Sequence, residues 1–202
     1  MTNIDPALIE IRRLWQSDND EYCQHLLRLD LSSRRFRFVG GMSDDAVQNY
    51  AEKCFGVGDV IFGAFVDGSL IGVAELRSTK PIWAKRGPSN QHIHAEVAFS
   101  VELKYQHHGI GEKLFSRILQ AASNHGVETI DLMLLSDNTG MRNLAKKFKT
   151  RLNYEDGILI GHINTLNPTL YSLFRESVAD IFDFSLSAFD AYWRNFKINL
   201  IK

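Results

Sequence analysis

Only two cysteines occur in the 202 residues, and Cys23 and Cys54 stand alone, without the spacing of metal ligands. That pattern suits reduced thiols in a cytoplasmic protein, although spacing alone leaves a disulfide between the two open. Excess charge is also missing. A formal net charge of −1 gives no global basic field, which argues against a dedicated nucleic-acid binder. The two local basic runs, Arg34-Arg35-Phe36-Arg37 and Lys146-Lys147-Phe148-Lys149, read as solvated helix faces. No apolar run is long enough to span a bilayer. The start carries Asp5 and Glu10 and lacks a long apolar run, against a signal peptide. Repeats and low-complexity tracts are absent. What remains, with 45% hydrophobic content, is one ordinary globular domain with room for an appendage.

The most informative segment runs from Glu96 to Leu119. Val97, Phe99, Val101 and Leu103 alternate with Glu96, Ala98, Ser100 and Glu102, the period of a half-buried strand. Ile110, Leu114, Phe115, Ile118, Leu119 and Ala122 then recur at helical spacing. Between them lies Gln106-His107-His108-Gly109-Ile110-Gly111. The glycines open backbone conformations closed to other residues and clear side chains from the amides. The first helical turn adds unpaired N–H donors at the positive end of a dipole. A strand, a glycine loop and a helix in this order form an anion site suited to phosphate or pyrophosphate. Two other phosphate loops do not fit: the dinucleotide fingerprint needs a third glycine where Leu114 stands, and a P-loop needs Gly-Lys-Ser/Thr.

These residues resemble motif A of the GNAT superfamily of acyl-CoA-dependent N-acetyltransferases, Arg/Gln-x-x-Gly-x-Gly/Ala after a strand. The resemblance implies that Gln106, His107, His108, Gly109, Ile110 and Gly111 cradle the CoA pyrophosphate, with Glu112 beside them. It also implies that Phe99, Ser100 and Val101 lend backbone groups to the pantetheine arm, and that Asn138 belongs to the cofactor site. The likeness covers about residues 8 to 165. Val60 to Val66 and Leu70 to Leu76 flank Asp67-Gly68 and read as a hairpin, matching the family's antiparallel strands before motif A. Ile130 to Leu135 is the next strand, and a helix from Asn138 should run to about Leu152.

Upstream, Ile9 to Leu14 reads as a strand. A helix is expected from about Asn19 to Leu29 with Asp18 as N-cap, and another from Ser43 to Cys54. Between them, Leu29 to Phe38 resembles a leucine–serine–arginine–phenylalanine stretch of bacterial protein-lysine acetyltransferases and is expected as a loop roofing the acceptor cleft. Asn138-x-x-Met141-x-x-Leu144-Ala145 resembles a helix of the same subgroup. Beyond residue 165 comes an extension over 166–202, with Asn167-Pro168 as its helix start. Its aromatic residues, among them Phe174, Phe182, Phe189 and Trp193, need covering. The simplest cover is the chain's own domain; a homodimer contact is the sharper alternative. A membrane-surface role is disfavoured because the polar positions are not rich in lysine or arginine.

The chemistry follows from the resemblance. An acceptor amine near pKa 10.4 is almost wholly protonated at neutral pH, so transfer of an acyl group to it calls for a base. Glu96 is the candidate, sharing a strand face with the small Ala98 and Ser100, and Glu75 is its back-up. Family members often carry a tyrosine as general acid seven residues after the matching asparagine; here that position is Ala145, and Tyr154 would substitute only if the chain folds back. His92, His94, His107 and His108 lack the further ligands of a zinc site, so no metal is expected; His92 and His94 should end the loop before the strand. The expected fold is an α/β GNAT domain at 1–165, a mixed, mostly antiparallel sheet flanked by helices. The expected activity is acetyl-CoA-dependent N-acetylation of an amine, a protein lysine being favoured over a small molecule, with no nucleic-acid or membrane partner. The alternative is a catalytically silent acyl-CoA-binding or interaction module, motivated by Ala145 and the aromatic extension.

Overall fold

A computed structural model describes residues 8–56, 58–78 and 93–200, in the last stretch without the side chains of 194, 195 and 197–200. Its frame is a seven-stranded sheet in the order β1-β2-β3-β4-β5-β7-β6. The strands are β1 (Glu10–Leu14), β2 (Val60–Val66), β3 (Ser69–Ser78), β4 (His94–Val101), β5 (Thr129–Leu135), β6 (Arg151–Glu155) and β7 (Ile158–Asn164). All neighbours pair antiparallel except β4 and β5, which are parallel because a helix, α4 (Ile110–Asn124), connects them. The β2–β3 hairpin turns at Asp67-Gly68 with φ of 49° and 73°, the paired positive angles that match strand twist. Both faces of β2 are buried, which is why Val-Ile-Phe-Gly-Ala-Phe-Val shows no polar alternation.

One face packs against α4, which buries Ile110, Leu114, Phe115, Ile118, Ala121 and Ala122 against Phe62, Ala74, Leu76 and Val97. The other face carries α1 (Asn19–Arg28), α2 (Leu31–Phe38) and α3 (Asp44–Glu52), whose Tyr22, Leu26, Val47 and Ala51 pack with Ile61, Leu70 and Val73. Ser43 caps α3 as expected, accepting from the Ala46 amide. Cys23 and Cys54 are free thiols. No described helix is long and apolar enough to cross a membrane.

Several local expectations need correction. Leu29 to Phe38 is not a loop: Asp30 accepts from the amides of Ser32 and Ser33 and starts α2. Asp18 does not cap α1 with its side chain, because both its oxygens are taken by Arg12 at 2.9 and 3.0 Å. The helix opening at Asn138, α5 (Thr139–Lys147), stops five residues short of Leu152. Lys149 adopts φ 55° there and Thr150 donates to the Ala145 carbonyl, which closes the helix and releases Arg151 to pair with β7. β4 ends at Val101, so Leu103 falls in a short turn and is 64% exposed. His94 opens β4 rather than ending a loop, and the expectation for His92 lies outside the described residues.

The extension is a single helix, α6 (Leu170–Leu200), begun by Thr169 and not Asn167: the Thr169 and Ser172 side chains accept from each other's amides. It docks on β1 and α4, but with its polar face. Among its described side chains Glu176, Asp183 and Ser187 are the buried ones, while Phe174, Ile181, Phe182 and Phe189 are exposed. The partners explain the inversion: β1 and the end of α4 offer Arg13, Asn124 and His125, which are met by the carboxylates of Glu176, Asp180 and Asp183 and by the carbonyl and hydroxyl of Ser172.

Candidate active site

The parallel pairing of β4 with β5 covers only His94 to Val97 against Thr129 to Leu132. Both strands continue, β4 to Val101 and β5 to Leu135, so their facing edges separate. Backbone groups on those edges are then left for another partner. The gap is a cleft of about 230 Å³, walled by Val97, Ala98 and Phe99 on one side and Leu132, Met133 and Leu134 on the other. Phe36 to Phe38 of α2 and the following Val39 roof it, and Asn138 and Met141 close its α5 side. Asn138 caps α5 by accepting from the Met141 amide at 3.0 Å.

At the far end of β4 the chain turns into α4 through the glycine loop. His107 and Gly109 take positive φ of 65° and 77°, and Gly109 is the residue preceding the helix. Among the described residues the amides of Gly109, Ile110 and Gly111 donate to no backbone carbonyl, so the first turn presents a row of open donors. A side chain on Gly109 would meet nothing within 4 Å, whereas one on Gly111 would press on Leu144 at 3.3 Å. Gln106 is anchored differently: its side-chain amide donates to the Val101 carbonyl at 3.0 Å and to Ser33 of α2 at 3.2 Å. His108 approaches the Gln106 carbonyl through Nδ1 at 2.7 Å. Glu112 has both groups engaged, its amide by the Gly109 carbonyl and its carboxylate by Lys147.

Two glutamates occupy one face of the sheet. Glu96 is exposed and lines the cleft, its register partner on β5 being Asp131, which also lines it. Asp131 is held by His162 Nδ1 at 2.6 Å, with His94 Nδ1 at 3.4 Å. Glu75, opposite Ala98, is fully buried. It accepts from Tyr22 at 2.6 Å, Tyr50 at 2.7 Å and Arg77 at 3.1 Å, and from Arg37. Burial alone would raise its pKa, but the guanidinium groups of Arg37 and Arg77 and the hydrogen bonds outweigh it and hold the carboxyl below its ordinary range. Burial and the same carboxylate push both tyrosine hydroxyls up, so they remain donors. A glutamate so surrounded is not open to an amine.

The first basic run is therefore not a solvated face throughout. Arg37 is buried between Glu75 and Tyr50, Arg34 donates to the Leu27 carbonyl and Asp44, and only Arg35 reaches across open surface, to Asp137 at 2.8 Å. Together with Ser33 on Gln106, these contacts tie α2 to the glycine loop and to the loop before α5. His25 sits beneath, fully buried with Nε2 2.9 Å from Ser100 Oγ; desolvation lowers its pKa despite the nearby Glu102. Ala145 is buried in the core and Tyr154 is 67% exposed on β6, away from the lining of the cleft. Sequence reasoning missed Tyr22, His25, Arg37, Tyr50 and Asp131. Arg37 alone had a signal, a cation at the end of a stretch already singled out.

The Acetyltransferase (GNAT) family model matches residues 20–149, more than half of the chain, and the chain belongs to that family of acyltransferases. Solved structures carry the same fold. The GNAT domain of a Streptomyces lividans protein named PAT is 20% identical with a TM-score of 0.63, covering 77% of this chain and 90% of that one. The Salmonella typhimurium protein yncA, solved with its cofactor acetyl-CoA, is 15% identical with a TM-score of 0.55, covering 78% and 94%. A cAMP-binding acyltransferase from Mycobacterium smegmatis is 19% identical with a TM-score of 0.53, covering 91% of this chain and 52% of its own.

Proposed function

We propose that this protein transfers an acetyl group from acetyl-CoA to a primary amine, with Glu96 as general base and a protein lysine as the favoured acceptor. The observation that carries the reading is that the cleft lies beside β4 and the glycine loop follows the end of the same strand. The open amides of Gly109, Ile110 and Gly111 meet the pyrophosphate, the splayed edges of β4 and β5 take the pantetheine arm, and Glu96 faces the same cleft. In that arrangement Phe99 to Val101 supply backbone, Gln106 braces the loop, and Asn138 shapes the wall. Glu112 is left with a structural pairing to Lys147.

Glu96, directly or through one water, takes a proton from the ammonium, and the neutral nitrogen attacks the thioester carbonyl carbon. Amides on the open β4 edge are the donors for the oxyanion. The attacking nitrogen, now positively charged, gives its second proton to water, the carbon–sulfur bond breaks, and CoA leaves as a thiolate, which takes a proton from water to become the free thiol. With Ala145 in place of a phenol, water gives that proton, and a thiol pKa near about 8.5 makes the demand small. A protein lysine is favoured on the resemblance of Leu29 to Phe38 and of Asn138 to Ala145 to bacterial protein-lysine acetyltransferases.

The buried Ala145 also supports a second reading, a silent acyl-CoA-binding module. Release of CoA thiol, measured with acetyl-CoA against lysine peptides and a panel of small amines, separates the two. Turnover on lysine peptides above that on small amines supports the proposal. Tight acetyl-CoA binding without turnover on any acceptor replaces it with the silent module.

A further inference from the structure

We propose that the outward face of α6 is the interface of a homodimer, covered by the same face of a second copy of this chain. The helix is two-sided in an unusual sense. Its inner side holds the acids: Asp183 accepts from the Arg13 amide at 2.7 Å, Asp180 pairs with Arg13, Glu176 meets Asn124, and Ser187 bonds Ser17. Its outer side repeats apolar or small residues at Phe174, Val178, Ile181, Ser185, Ala188 and Tyr192. Those intervals of four and three keep the stripe straight along the helix, as a partner helix requires. At about 100° per residue the stripe lies nearly opposite Asp183 and Ser187, so the docking that fixes α6 on its own domain cannot also cover it.

Size decides between a stray patch and an interface. Phe174, Ile181, Phe182, Phe189 and Tyr192 are 61 to 70% exposed. With Tyr171, Val178 and Phe196 they present on the order of 900 Å², taking about 200 Å² for a whole aromatic side chain. The largest patch on an ordinary monomer is about 300–600 Å², and a stable pair needs about 800 Å² from each partner. Chemistry decides the occupant. No stripe position is charged, so the face offers nothing to a charged partner, and among the described side chains of α6 Arg175 is the one basic residue beside it, where a helix held on a lipid surface carries rows of lysines and arginines. An apolar strip matches itself under two-fold symmetry, and the small Ser185 and Ala188 near its middle let two helices approach closely.

Light scattering coupled to gel filtration, at tens of micromolar, tests this. The wild type is expected at twice 23.0 kDa. I181E/Y192E, and separately A188R, are expected at the mass of one chain with unchanged helical circular dichroism, because these positions make no use of the inner contacts. A wild-type mass of one chain or of more than two overturns the proposal, as does a two-chain mass that survives both variants. Wild-type protein that stays single and co-floats with phosphatidylcholine–phosphatidylglycerol vesicles overturns it in favour of a membrane surface.

Discussion

Glu75 and Glu96 sit on neighbouring strands and the same face of the sheet, yet their surroundings are opposite. Glu96 lies across from Arg77 and opens to the cleft, while Glu75, one alternate position further along the ladder, is closed in by two arginines and two tyrosines. The difference teaches that access, and not residue type, separates a carboxylate able to accept a proton from an amine from one that holds the walls in place. Arg37 joins the two environments. It lines the cleft and is anchored by Glu75, so the buried glutamate positions the roof under which Glu96 is proposed to act.

The comparison is broken most directly at Glu96. Glu96→Gln is expected to lower turnover roughly 10²–10⁴-fold near neutral pH, with part of the loss regained at higher pH, where more amine is neutral, and with acetyl-CoA affinity retained. Steady-state kinetics with full activity would pass the role to water or to another group. Glu75→Gln should do the reverse, costing about 3–5 kcal/mol of stability by leaving the buried Arg37 and the half-buried Arg77 without their counter-ion. Urea denaturation reads this, and a change within about 0.5 kcal/mol would mean that the cluster is not a structural unit. Gly109→Asp adds bulk and like charge at the open amides, leaving both glutamates alone. Calorimetric titration should show acetyl-CoA binding weakened about tenfold or more, the value of a lost charge-assisted hydrogen bond.

The smallest effect is on pH. Glu75 has a folded pKa below its ordinary 4.5, so its contribution is full above that value and is lost as pH falls through the folded one. His25, buried and neutral, has a folded pKa below 6.5, so it too favours the fold above its unfolded value and costs stability on further acidification. Melting temperature should therefore begin to fall below about pH 6.5 and fall again below about pH 4.5. The first decline should be shallower in His25→Gln, with a remainder due to His125, which burial shifts in the same direction, and an unchanged decline in that variant would remove His25 from the account.

Much of the scaffold was legible because it depends on local rules. The period switch at Gln106, the Asp67-Gly68 turn and the Ser43 cap each need only neighbours a few residues apart. The glycine loop is of this kind, which is why its residues could be named in advance. The Glu75 cluster is not: Tyr22, Arg37, Tyr50 and Glu75 come from four elements, and nothing in their spacing along the chain brings them together. The end of α5 was misplaced because Phe148 and Leu152 suit a helix face as well as a strand face, and a left-handed Lys149 decides between them. α6 was misjudged for another reason. Apolar residues were expected to point inward, but β1 and α4 meet it with polar groups.

That polar docking has a consequence for how the sheet ends. β1 is an edge strand, and an edge strand offers its free amides to any other extended chain. Here the Asp183 carboxylate of α6 accepts from the Arg13 amide, so one of those offers is taken by a side chain and the helix body stands along the remainder. The opposite edge, β6, is five residues long, as β1 is, and carries exposed Arg151 and Glu155. The seven strands thus stop at seven by two unlike means, exposed charge on one side and a borrowed acceptor on the other.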